Sequence, residues 1–308
     1  MFSSLVAVDS AVVLAVGGSA LYFHSSQLPR PPLGVLNLTD VIILIGIIVA
    51  MPYLYLALPI AVMSVVIGGG LLSTLLLGSH PILRPSIARV AVIALLVGDV
   101  LAVASGGRYL PYALNDLIAL LTVIAVANIW VQSGLSARDA TILAGCLAVY
   151  DPIATTFLSL TGQLFSRYAH APFAPLVAWP THSTNWLGVG VGDVLIASLL
   201  PLVMTKAYGS ASGRITGFLV VLVITLVSLV GLLSSSPQIL PLMSLVGPVA
   251  VVNYIIWQRR YPRERTTAEY RSGVPMSEML ESSRTSSRDD ASEPEGGDQP
   301  SFVRPSAM

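Results

Sequence analysis

The chain has 308 residues, of which 54% are hydrophobic and only 10% charged, with a mean hydropathy of +0.79; this excludes an ordinary soluble globular domain. The net charge of zero hides a segregation: every Glu lies beyond position 260, and the only acids in the preceding apolar body are Asp9, Asp40, Asp99, Asp116, Asp139, Asp151 and Asp193. No basic patch suited to nucleic acid interrupts that body, and the single Cys146 allows no intrachain disulfide.

Apolar runs long enough for a hydrocarbon core predict helices near 5–23, 38–57, 59–78, 87–105, 112–132, 139–161, 185–206, 214–233 and 237–257. This is an all-α membrane protein with nine spans, its membrane domain covering 1–260. The first run has no Lys or Arg before it and reads as a retained span rather than a signal peptide. Pro52 and Pro59 bracket the short connection between the second and third. Residues 261–308, rich in Ser, Glu, Asp and Arg, cannot bury enough apolar surface to fold alone and read as a disordered tail.

Orientation follows from the basic residues. Arg30, Arg84, Arg89, Arg138, Lys206, Arg214 and the cluster Arg259, Arg260, Arg263, Arg265 and Arg271 fall on one side, against Arg108 and Arg167 on the other. The bias places the C-terminus in the cytoplasm and the N-terminus outside, with the cluster after the ninth helix as a lipid-facing anchor.

A carboxylate in hydrocarbon is expensive, so each deep Asp is a functional candidate. Asp9, Asp40, Asp116 and Asp139 fall near helix ends, leaving Asp99, Asp151 and Asp193. Counted from the outer helix ends, Asp151 and Asp193 lie roughly 15 and 12 Å deep at 1.5 Å per residue, and adjacent antiparallel helices would bring them level. Asp99 reads as a carboxyl hydrogen-bonded within the bundle. The glycines of Gly188-Val-Gly190-Val-Gly192-Asp193 permit close backbone approach; Asp151 follows Tyr150, a hydrogen-bond donor, and precedes Pro152, which should kink the sixth helix; Pro241-Leu242-Met243 opens the ninth.

Tyr150-Asp151 on the sixth helix, Gly190-Val-Gly192-Asp193 on the seventh and the proline motif at the ninth together resemble the presenilin and signal peptide peptidase family of GxGD intramembrane aspartyl proteases, over roughly 1–257. The third motif departs from the family's PAL, reading Pro241-Leu242-Met243, so only Pro241 carries over.

The resemblance implies a presenilin-like fold, an Asp151 and Asp193 catalytic dyad, and Tyr150, Gly190, Gly192 and Pro241 shaping the site. It also implies a signal peptide peptidase-like orientation, with single-span helices or remnant signal peptides as substrates in a lipid setting. Two close carboxyls cannot both ionise cheaply, so the pair should share one proton, one aspartate activating water while the other protonates the carbonyl or leaving amine.

No cofactor or metal is implied, since His24, His80, His170 and His182 fall in predicted loops and no HExxH occurs. Ser210-Ala-Ser212-Gly213, also in a predicted loop, is a poor serine nucleophile. Prepilin peptidases share GxGD but not the nine spans, and the rival outside proteolysis is a proton- or cation-coupled transporter using Asp99, Asp151 and Asp193. The 162–184 connection is expected to help receive substrate.

Overall fold

The computed structural model of the chain describes residues 2–28, 36–180, 186–233, 241–261 and 263–278. Its helices are α1 (Phe2–Ser25), α2 (Leu38–Ala57), α3 (Ile60–Ser79), α4 (Pro85–Ala104), α5 (Leu110–Gln132), α6 (Ala137–Pro152), α7 (Leu160–Tyr168), α8 (Val191–Tyr208), α9 (Ser210–Leu233), α10 (Met243–Arg260) and α11 (Thr267–Arg271). A hairpin of β1 (Leu176–Pro180) and β2 (Trp186–Gly190) precedes α8.

Eight helices among the described residues, not nine, are long and apolar enough to cross a bilayer. The ninth expected span, α10, packs along α6, but Asn253, Gln258, Arg259 and Arg260 lower its hydropathy. Large apolar side chains cover the periphery, with Val65 75% and Val90 70% exposed, as a surface facing lipid rather than water would require. The chain is a multi-pass integral membrane protein.

Local chemistry explains the boundaries. Asn37 accepts from the Thr39 and Asp40 amides at 2.8 and 3.2 Å while Asp40 accepts from the Asn37 amide, a capping box that starts α2. Pro59 stands immediately before α3, and the extended Leu58 and Pro59 separate α2 from it. Gly209, at φ +93°, turns the chain within one residue, so the Ser210–Gly213 stretch expected as a loop is the first turn of α9. There Ser212 donates to the Met204 carbonyl at 2.7 Å. His24 likewise lies in the last turn of α1 rather than in a loop, and His182 lies outside the described residues.

At the centre sits α8, the most buried span, packed against α1, α5, α6 and α9. Two expected helices are shorter than their apolar runs. Pro152 ends α6 as an α-helix, and Ile153–Phe157 continues as a π-turn closed by the Leu158 amide on the Ile153 carbonyl at 3.0 Å. The expected 185–206 helix starts only at Val191, because Trp186–Gly190 pairs as a strand with Leu176–Pro180.

Several expectations about side chains change. Cys146, which sits in an apolar run where a small residue usually packs inside, is exposed on α6. Lys206, counted among the basic residues of the cytoplasmic side, is 2% exposed and donates to the Val131 and Leu135 carbonyls.

The stretch after 260 is also not uniformly tail-like. Glu264 accepts from the Ala137 and Arg138 amides at 2.8 and 2.9 Å, capping α6, and Arg265 donates to the Lys206 and Thr205 carbonyls at 2.9 and 3.1 Å, capping α8. Tyr270 stacks on Phe23 with ring centroids 5.1 Å apart. Residues 263–278 are thus a strap on the bundle, held by charge on helix ends that composition does not register; 279–308 lie outside the described residues, as does Arg30.

Candidate active site

The site forms where α6 ends and α8 begins. Asp151 is the penultimate residue of α6. One of its oxygens accepts from the Thr155 hydroxyl at 3.1 Å, and Thr155 in turn contacts the Thr161 hydroxyl at 3.0 Å. The other accepts from the Met243 amide at 2.8 Å. Met243 is the first residue of α10, so its free amide is a ready donor for a carboxylate at a helix N-terminus.

Helix packing sets this contact. Gly247 lies one turn further along α10, against Ala144 and Ala148 on α6; a Cβ there would stand 2.5 Å from the Ala148 Cβ and 2.6 Å from the Ala144 carbonyl oxygen. The close antiparallel crossing needs glycine at this point. Gly247→Ala is therefore expected to push α10 off α6 and draw the Met243 amide away from Asp151, with the variant still inserted. The measurement is hydrogen exchange at the Met243 amide in folded protein, and wild-type protection there would disconnect this crossing from the site.

Asp193 is the third residue of α8, in its first turn rather than the roughly 12 Å along a helix that its apolar run predicts. Its carboxyl bonds back to the Gly190 amide, as an acid in a helix first turn commonly does. Gly190 makes room for it, since a Cβ there would lie 3.1 Å from the Asp193 Oδ2, whereas a Cβ on Gly192 would meet nothing within 4 Å. Gly192 thus opens onto free space beside the carboxyl. Asp151 and Asp193 interact electrostatically, and both are half-buried and partly desolvated.

Around the pair, the Tyr150 hydroxyl is buried without a partner among the described residues and lies in the field of Tyr53 and Asp151. Pro241 is half-buried, and its carbonyl accepts from the Ser244 amide at 3.3 Å, shaping the turn that presents the Met243 amide. Gln238 to Leu240 lie outside the described residues.

The other acids are occupied elsewhere. Asp99, fully buried on α4, accepts from the Phe173 amide at 3.0 Å and so steadies a non-glycine residue at φ +60°. Asp116, on α5, accepts from the Ala178 amide at 2.9 Å. Thr155 and the Met243 amide were not singled out from sequence; the four-residue spacing from Asp151 to Thr155 carried that signal for the first, and nothing local carried it for the second.

These features define a polytopic helical membrane protein with one carboxyl at the end of an interrupted helix, Asp151, in electrostatic reach of a second, Asp193, where a hairpin leads into α8. No protein family model matches the sequence, and neither does any curated protein. Among solved structures, the chain is similar to a presenilin family intramembrane aspartate protease, solved in a C222 crystal form, with a TM-score of 0.53 and 15% sequence identity over 83% of this chain and 97% of that one. The likeness is one of fold and spans nearly all of that protease.

Proposed function

We propose that the chain is an intramembrane aspartyl endopeptidase of the GxGD type, in which Asp151 and Asp193 activate water against a peptide bond of another membrane-spanning helix or a remnant signal peptide. What supports this reading is that Asp151, at the end of α6, and Asp193, at the start of α8, lie close enough to feel each other's charge, in a fold similar to that of a presenilin family intramembrane aspartate protease. With one proton shared between them, the ionised aspartate takes a proton from the attacking water while the protonated one gives its own to the scissile carbonyl; as the resulting gem-diol collapses and its C–N bond breaks, the proton taken from water passes to the leaving amine and the gem-diol hydroxyl returns its proton to the second aspartate. The amide of Met243 and the hydroxyl of Thr155 orient Asp151, while the amide of Gly190 orients Asp193. Gly192 leaves space for substrate backbone.

A helical substrate must unwind to be cut, and its freed amides and carbonyls then need partners inside the bilayer. The hairpin offers them: β2 leads directly into α8, so an extended segment added along it would pass the Asp193 carboxyl. The distribution of basic residues supports a cytoplasmic C-terminus and substrates entering with a cytoplasmic N-terminus. An ion path through Asp99 is disfavoured, because its carboxyl is bonded to the Phe173 backbone away from the pair.

The test is paired. Purified protein in liposomes is expected to cut a single-span substrate and to give no proton or cation flux above empty liposomes. Flux without cleavage would replace the protease reading with the transporter one.

A further inference from the structure

The hairpin is built to grow on one side only. In an antiparallel pair, alternate residues bond across the ladder while those between point their amides and carbonyls outward. The Val191 amide reaches the Pro175 carbonyl at 3.2 Å, which sets the phase: Val177 and Val189 bond across, as do Trp179 and Leu187. Leu176, Ala178 and Pro180 on β1, and Trp186, Gly188 and Gly190 on β2, therefore point outward.

On β1 this outer edge is taken up by side chains from two other helices. The Asn115 amide donates to the Leu176 carbonyl at 2.8 Å, Asp116 accepts from the Ala178 amide at 2.9 Å, and the Ser4 hydroxyl donates to the Pro180 carbonyl at 3.0 Å. Pro180 has no amide to offer. Leu176, Val177 and Ala178 are at most 1% exposed, whereas residues 187–190 of β2 are half-exposed. Among the described residues no side chain takes up the outward groups of Gly188, which also presents no Cβ to an incoming strand.

We infer that Ser4, Asn115 and Asp116 are positioning residues for substrate: by closing the outer edge of β1 they fix the hairpin against α1 and α5 and direct an unwound substrate segment onto β2, in one register against Asp193. This rests on the protease reading above. Each acts through the strand and touches no reacting atom. Asp116 is needed only as an acceptor for the Ala178 amide, so Asn can replace it while an apolar residue of similar size cannot. With the clip lost, β1 is free to shift, and a two-residue slip is the smallest that keeps the same substrate side chains facing the site.

The experiment compares full-length Asp116→Leu, Asn115→Leu and Asp116→Asn with the wild type, each verified as folded by its thermal midpoint. Product masses from a single-span substrate give the cleavage position. The two Leu variants should yield additional products displaced by two residues and raise KM severalfold with kcat changed less; Asp116→Asn should keep the wild-type pattern. If a Leu variant does not fold, Ser4→Ala replaces it. A role confined to stability would lower the midpoint and leave product masses unchanged, and that result overturns the inference.

Hydrogen exchange supplies an arm independent of cleavage. A saturating, non-cleavable extended apolar peptide should slow exchange at 186–190 in the wild type, and protection absent there overturns the inference as well. A wild type that gains this protection yet cuts nothing would retain the one-sided edge while refuting the protease reading.

Discussion

Asp151→Asn and Asp193→Asn are each expected to abolish cleavage of a reconstituted single-span substrate while leaving the protein folded and inserted. Asparagine keeps the size of the side chain, and its carbonyl can still accept from the Met243 amide at position 151 or the Gly190 amide at position 193. What it cannot do is pass a proton. Loss of the acid and base function alone is worth roughly 10²–10⁴-fold. In the proposed mechanism the two carboxyls work as one unit, so the double variant should be no worse than either single one, unlike independent sites whose losses add. Asp99→Asn is the internal control: its carbonyl can still receive the Phe173 amide, so substantial cleavage should remain. Wild-type rates from either dyad variant would overturn the mechanism.

The spans were legible because each rests on composition over twenty or so residues, a signal that survives without any knowledge of neighbours. α2 and α3 were placed within a residue or two for this reason, helped by the prolines that separate them. The failures share a cause. Residues 153–161 and 186–190 are as apolar as the helices they adjoin, so hydropathy could not distinguish a π-turn or a strand from a continued span. Pro152 did announce the break in α6, because a missing amide is a local fact. The strand at 186–190 depends on a partner about ten residues back, itself held by Asn115 and Asp116 some sixty residues before it, so nothing within a window reveals it.

The same division holds for the candidate site. Asp151 and Asp193 stood out because charge in an apolar run is conspicuous. Their partners did not, since a backbone amide such as that of Met243 has no signature of its own, and the Gly247 crossing that delivers it becomes visible only once α10 lies against α6.

Truncation should expose the energetic weight of the strap. A chain ending at 278 is expected to melt and cleave like the full protein, because residues 279–308 carry little apolar surface with which to build a core. A chain ending at 262 should lose stability and activity together. It removes Glu264 from the two α6 amides and Arg265 from the last carbonyls of α8, and hydrogen bonds to charged groups contribute about 1.5–3 kcal/mol each. It also strips buried Lys206 of the Glu264 charge nearby and of the Thr267 hydroxyl at 3.3 Å. A loss of about 3 kcal/mol would lower the thermal midpoint by roughly 5 °C for a chain of this size. The two helices tied at this end carry Asp151 and Asp193 at their other ends, so loosening the strap should also spread the carboxyls and reduce cleavage below the melting transition. Glu264→Ala isolates the α6 cap, and Glu264→Gln, which keeps only one acceptor oxygen and no charge, should fall between Glu264→Ala and wild type. An unchanged midpoint and rate in the chain ending at 262 would show that the strap holds neither helix.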